Sequence, residues 1–171
     1  MLVLNKVPEI YQDYFRLDNA VDLVELIRAK ATREQINTSI RLDTAYCKIY
    51  QPKKFMSDDF EQCRNTFSKK ISSTFKDEYK VNDDIWGLDY DNGEGTKFHD
   101  HRNDSQYSAI YYLVADEGCG PLVFKNPDME IEPKPGLFIL FDSRVEHGVL
   151  PGLNPTARRT CIAMNAKVIV L

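Results

Sequence analysis

Hydrophobic and polar positions change their period about halfway along the chain. After Asp18, which reads as a cap, Val21, Val24, Leu26 and Ile27 recur near helical spacing and predict a first helix ending near Lys30. Thr44 to Tyr50 leans toward strand. Ser57-Asp58-Asp59 then reads as an N-cap with acidic first-turn residues, and Phe60, Cys63, Phe67, Ile71, Phe75 and Tyr79 make one apolar stripe. That spacing predicts a long helix, Ser57 to Tyr79, laid with its apolar face on a sheet. Beyond Val81 the pattern turns to short runs broken by Gly, Pro, Asn and Asp: Ile85 to Tyr90, Lys97 to His101, Tyr107 to Val114, Leu122 to Lys125, Met129 to Glu132, Leu137 to Phe141, Val145 to Val149 and Arg159 to Val170. Helices first and strands after predict an α+β, mainly β, chain: a two-sheet barrel or jelly roll buttressed by helices on one face. No internal repeat interrupts it, so one domain is expected over 1–171, with 1–80 as helical support and 81–171 as the jelly-roll core.

Composition narrows the picture. With 171 residues, 43% hydrophobic and 11% aromatic, the chain suits one compact core. Net charge is −4 and the basic residues gather only in pairs such as Lys53-Lys54, Lys69-Lys70 and Arg158-Arg159, which argues against a nucleic-acid partner. A small molecule or a peptide is the expected partner. The run Met1-Leu2-Val3-Leu4 is cut short by Asn5, Lys6 and Pro8, leaving neither a signal-peptide core nor a membrane span, so a cytoplasmic protein is expected. Cys47, Cys63, Cys119 and Cys161 form no CxxC pair and read as small buried or half-buried thiols, not as a disulfide framework or zinc knuckle. Asn37-Thr38-Ser39 and Asn103-Asp104-Ser105 match the glycosylation sequon by chance. The apolar tail Val168-Ile169-Val170-Leu171 could pair as an edge strand in a homodimer.

The candidate chemistry lies in the second half. The chain has three histidines, His99, His101 and His147. Strand alternation puts His99 and His101 on one face, able to grip one ion, while His147 comes from beyond the buried run Gly136 to Phe141 and just before the turn Leu150-Pro151-Gly152. Three such ligands leave coordination positions open, which suits catalysis better than a structural clamp; zinc would accept the same set, so the triad alone does not choose the metal. Arg159 opens the last strand and shares a face with Cys161, Ala163 and Asn165, whose small side chains leave room for a ligand. Its planar fork suits bidentate capture of a carboxylate, against the competing reading of a surface arginine beside Arg158. Trp86, the single tryptophan, lines an entrance or packs in the core; Tyr90 and Asn165 face the pocket or simply pack; Arg144 holds substrate or is solvated. The loop Asp91 to Lys97, with two glycines and mixed charge, is a candidate mobile lid.

Through DYDNGEGTKFHDH, SAIYYLV, GPLVF, IEPKPGLFILFDSRVEHGVLP and RRTCIAMN, in that order and spacing, Tyr90 to Asn165 resembles the core of the iron(II)- and 2-oxoglutarate-dependent dioxygenases. The likeness is to the prolyl-hydroxylase-like group and to a related set of HxH oxygenases from phages and marine bacteria. The resemblance implies a double-stranded β-helix (jelly roll, cupin-like) with N-terminal supporting helices. It further implies Fe(II) on His99, His101 and His147, and 2-oxoglutarate as co-substrate with its distal carboxylate on Arg159 and Tyr112; Arg158 is a neighbour able to take the arginine's role. The implied reaction couples oxidative decarboxylation of 2-oxoglutarate to hydroxylation of a substrate, with no catalytic residue beyond the metal ligands. One position departs from the pattern: most of the family has Asp or Glu where this chain has His101, so a neutral ligand replaces an anion and leaves the iron more positive. Asp100, on the opposite face, reads as a carboxylate behind the ligands or on the surface. Two other readings stay open. A cupin-like three-His metal dioxygenase not using 2-oxoglutarate would not need Arg159 or Tyr112, and a non-catalytic small-molecule-binding barrel would need no metal.

Overall fold

A computed structural model of the chain describes residues 10–33, 47–52, 56–91 and 94–169. In chain order the elements are β1 (Ile10–Tyr14), α1 (Ala20–Lys30), β2 (Lys48–Tyr50), α2 (Asp58–Phe75), β3 (Tyr79–Tyr90), β4 (Thr96–His99), β5 (Tyr107–Ala115), β6 (Leu122–Lys125), β7 (Asp128–Ile131), β8 (Leu137–Asp142), β9 (His147–Val149) and β10 (Arg159–Val168). They build a six-stranded sheet, β1-β8-β5-β10-β3-β2, and a four-stranded sheet, β4-β9-β6-β7, paired antiparallel throughout. From β3 onward the chain passes back and forth between the two sheets, the winding of a double-stranded β-helix. The predicted fold class is the one observed.

The large sheet is buried on both faces, which is why its central strands read as continuous apolar runs instead of alternating ones. In β5, Ile110 and Tyr112 point between the sheets, whereas Ala109, Tyr111 and Leu113 point toward the helices. Phe67 of α2 stacks on Phe138 at 5.4 Å between centroids and meets Tyr111 at 5.6 Å, so the helix stripe packs on the sheet as predicted. Gly87 of β3 permits the approach of α1, since a Cβ there would stand 2.5 Å from Cγ1 of Ile27.

Several boundaries differ from the sequence reading for local reasons. Helix α2 stops at Phe75 because Lys76 takes the left-handed conformation (φ 58°) and closes the last turn by donating to Ser72 O. Tyr79, the last residue of the predicted stripe, therefore starts β3, and its N–H donates to Ser72 Oγ at 2.9 Å. Ser57 is the N-cap, as expected, and its hydroxyl accepts from Phe60 N. The cap of α1 is Asn19 and not Asp18, and the Asn19 side chain makes no capping bond but donates to Asp59 of α2. Strand β1, which the polar Gln12 and Asp13 concealed, adds an edge beside β8. Among the described residues no helix is long and apolar enough to cross a membrane. The Met1 to Leu4 run, Asn37-Thr38-Ser39, Lys53-Lys54 and the tail's last two residues lie outside the described residues, as does Thr44 to Tyr46 of the strand-leaning segment.

Candidate metal centre and the buried arginine

Adjacent strands of the small sheet bring the histidines together. His99 ends β4 and lies directly opposite His147, which opens β9; their rings are 4.5 Å apart between centroids. His101 stands 4.9 Å from His99 and 5.4 Å from His147. The mechanism of convergence differs from the prediction, because the strand expected over Lys97 to His101 ends at His99. His101 has left the sheet, and its N–H donates to Ser143 O at 2.8 Å while its carbonyl accepts from Asp104 N. A turn stitched to the β8–β9 loop, not strand alternation, aims the second imidazole.

One ligating atom from each histidine lies within 4.8 Å of the others. A single ion with bonds of about 2.1 Å spans at most about 4.2 Å between opposite ligands, so small inward rotations close the set. The Nδ1 atoms of His99 and His147 sit 2.8 and 2.9 Å from the carbonyls of Lys97 and Val145. A carbonyl can only accept, so Nδ1 donates there and the neutral ring presents Nε2 as its ligating nitrogen. His147 is buried against Phe141, and burial first, then the neighbouring His99 and His101, push its pKa well below the usual histidine value. It is therefore neutral, as a metal ligand must be. Asp100 takes no part in the cluster and instead accepts from Nε of Arg102 at 2.9 Å.

Arg159 is 2% exposed. Its Nη1 donates to Gly120 O at 2.8 Å, its Nη2 to Tyr112 Oη at 3.2 Å, and its guanidinium carbon lies 4.8 and 5.0 Å from the ring centroids of Tyr90 and Tyr112. Its Nε is buried without a partner, and no carboxylate pairs with it among the described residues. Ionised groups enclosed this far from water are ordinarily matched by an opposite charge. Arg158 points the other way, to Asp89 at 3.1 Å on the outer side of the sheet, so the inward arginine is Arg159. Alternation alone could not decide which of the two faced in.

A cavity opens between the sheets, walled by the three histidines, Trp86, Thr96 and Asn165 among others. Arg159 does not line it. It lies on an adjoining hollow with Cys119, Gly120, Asp91 and Glu94, whose carboxylates pair with Lys48 and Arg33 and not with Arg159, and Tyr90 belongs to both walls, its hydroxyl 2.7 Å from Thr96 Oγ1. Tyr90 thus divides the histidines from the arginine, a role its place before the glycine loop did not reveal. Thr96 and the Gly120 carbonyl were missed altogether, since backbone acceptors leave no side-chain signature. Trp86 fills both expected roles, packing in the inter-sheet core and lining the cavity. Arg144 is solvated and clamped on Asp142 at 2.6 Å. In the proposed lid, Asp91 pairs with Lys48 at 3.1 Å and Glu94 with Arg33, while residues 92 and 93 lie outside the described residues.

No family model matches the chain, and no curated protein matches it by sequence. Solved structures share its fold. A prolyl-4-hydroxylase from Pseudomonas putida aligns over 95% of this chain and 94% of its own at 17% identity and a TM-score of 0.66. A viral collagen prolyl hydroxylase from Paramecium bursaria chlorella virus 1, solved as a 2-oxoglutarate complex, aligns over 96% and 98% at 18% identity and a TM-score of 0.68. A prolyl hydroxylase from Trichoplax adhaerens, in complex with a hypoxia-inducible-factor oxygen-degradation-domain peptide fragment, aligns over 94% and 84% at 17% identity and a TM-score of 0.64.

Proposed function

We propose that this chain is a non-haem iron oxygenase that couples oxidative decarboxylation of 2-oxoglutarate to hydroxylation of a small-molecule or peptide substrate. The observation that carries the reading is Arg159: a buried guanidinium with no carboxylate paired to it among the described residues, set behind three converging imidazoles. A site of that kind is complete only when an anion reaches it, and a dicarboxylate bridging to the histidines supplies one. The neighbour solved with 2-oxoglutarate and the neighbour solved with a peptide support the co-substrate and the substrate class, respectively.

His99, His101 and His147 would hold the metal; Fe(II) bound there with 2-oxoglutarate supplies the oxidising chemistry. The rest of the work belongs to the chain. Three neutral ligands would leave the ion's charge of +2 uncancelled by the protein, so the carboxylate at the metal end of the co-substrate would offset part of it while the distal carboxylate answers Arg159. Arg159 and Tyr112 would take the distal carboxylate, and Nε of Arg159 gains the partner it lacks. Tyr90, on both cavity walls, would turn aside to let the chain of the keto acid pass. Phe124 and Phe141 pack around His147 and keep water from its ring.

The test is succinate release by Fe(II)-supplemented protein in air. The reading predicts succinate that requires Fe(II), oxygen and 2-oxoglutarate, and an Arg159→Met variant whose 2-oxoglutarate requirement rises by about a hundredfold, since removing one partner of a buried charge pair costs about 2–5 kcal/mol. Oxygen consumption without succinate would instead favour the cupin-like reading, and protein that retains no metal would favour the non-catalytic barrel.

A further inference from the structure

Two polar groups on the cavity wall are not used by the metal or the co-substrate. Trp86 is 8% exposed and Asn165 is 7% exposed, and both line the cavity. Trp86 pairs across the sheet with Ala163, two residues before Asn165, so indole and amide are diagonal neighbours on the same inward face. The Trp86 ring lies 6.3 Å from that of His101. Ser108, opposite Asn165 on β5, donates to Asn165 Oδ1 at 2.8 Å and thereby turns Nδ2 outward. Neither Trp86 Nε1 nor Asn165 Nδ2 has a hydrogen-bond partner among the described residues, neither is sealed away, and both residues line the cavity.

Resting on the oxygenase reading, we infer that Trp86 and Asn165 are specificity-determining residues that receive a substrate amide, its carbonyl oxygen accepting from both nitrogens. Two neutral donors on one wall match one carbonyl oxygen with two lone pairs. The charge of the same wall selects among carbonyl compounds. Asp100 is balanced by Arg102, but the Asp104 carboxylate has no partner among the described residues, and both line the cavity. Asp104 is exposed, so it adds a water-screened negative charge that weakly disfavours a free carboxylate beside it and offers an acceptor to an amide N–H. Ile110, Leu122 and Phe141 complete the wall with apolar surface, which suits an amide carrying an apolar side chain.

Trp86 is the only tryptophan, so its fluorescence reports this site alone. The experiment titrates protein loaded anaerobically with Fe(II) and 2-oxoglutarate with N-acetylglycinamide, and in parallel with propionate and with ethylammonium. The inference predicts a saturable change in Trp86 emission with the amide, weaker response to the other two probes, and about a tenfold loss of amide affinity in Asn165→Ala, the usual consequence of deleting one neutral hydrogen bond. Trp86→Phe keeps the ring and removes the N–H; followed through the visible band of the bound keto acid, it should lose a similar factor. Equal or tighter binding of propionate or ethylammonium, no response to the amide, or unchanged affinity in both variants overturns the inference. A keto-acid band with no amide response would leave the oxygenase reading standing and remove this one; an amide response with no band would do the reverse.

Discussion

At the scale of single residues, the neighbourhood of Arg159 is unusual for holding several weakly acidic groups away from water. Burial first raises the thiol pKa of Cys47 to about 12 and of Cys161 to about 11, from an ordinary value of 9.0. A group whose pKa is raised by folding contributes stability that is complete below its unfolded value and fades as pH climbs through the folded one. Unfolding free energy should therefore decline from about pH 9 upward, as the unfolded chain sheds thiol protons that the folded chain keeps. Denaturant melts at stepped pH check this, and Cys161→Ala should flatten part of the slope; a wild-type profile level to pH 11 would contradict the enclosed geometry. The same enclosure explains why Arg159→Lys is not conservative here. Lysine keeps the charge but cannot span Gly120 O and Tyr112 Oη with one rigid fork, so 2-oxoglutarate binding should weaken about tenfold or more when measured calorimetrically.

At the scale of elements, stability and site geometry are carried by different parts of the fold. The α2–sheet layer is a ring cluster about Phe67, and Phe67→Ala should cost about 3–5 kcal/mol in chemical denaturation while leaving Fe(II) affinity of the folded fraction unchanged. The β4–β9 ladder is thin, and Gly148 is a point of close approach within it: a Cβ there would meet Thr96 O at 2.9 Å. Gly148→Ala should push β4 off β9, separate His99 from His147 and lower Fe(II) affinity by about 10–100-fold, as seen when ligand orientation is disturbed. Both outcomes follow from one topology, and competition with a metal-binding dye distinguishes them.

The elements also decide what could be read beforehand. Strands β5 and β8 were legible because two buried faces make an unbroken apolar run, and α2 because its stripe and Ser57 cap agree. The first residues of β3 were not, since Lys80, Asn82 and Asp84 interrupt any pattern there, and β1 is an edge with little to bury. At the site, the three histidines were identifiable by their number and spacing, whereas the turn that carries His101 depends on a backbone bond to Ser143, forty-odd residues away, that no local pattern encodes. The choice of Arg159 over Arg158 likewise rests on Asp89 across the sheet.

At the scale of the whole molecule, the six-stranded sheet carries Arg159, Tyr112 and Tyr90 on its inner side, and the four-stranded sheet brings His99 and His147 to face it, with His101 on the turn that follows β4. Metal binding to two strands of the smaller sheet should couple to global stability. Fe(II) at a hundred times its dissociation constant adds about 2.7 kcal/mol to the folded state, so the melting temperature should rise on loading and fall with a chelator. His147→Ala should abolish that shift without the chelator.

The most direct measurement is anaerobic titration of the Fe(II)-loaded protein with 2-oxoglutarate, watched in the visible for the weak charge-transfer band of a bidentate keto-acid chelate, in the wild type and in His101→Ala and Arg159→Ala. The account predicts a saturable band that His101→Ala removes and Arg159→Ala shifts to much higher 2-oxoglutarate concentration. Iron bound with no band at any concentration, or a band indifferent to Arg159, would contradict it.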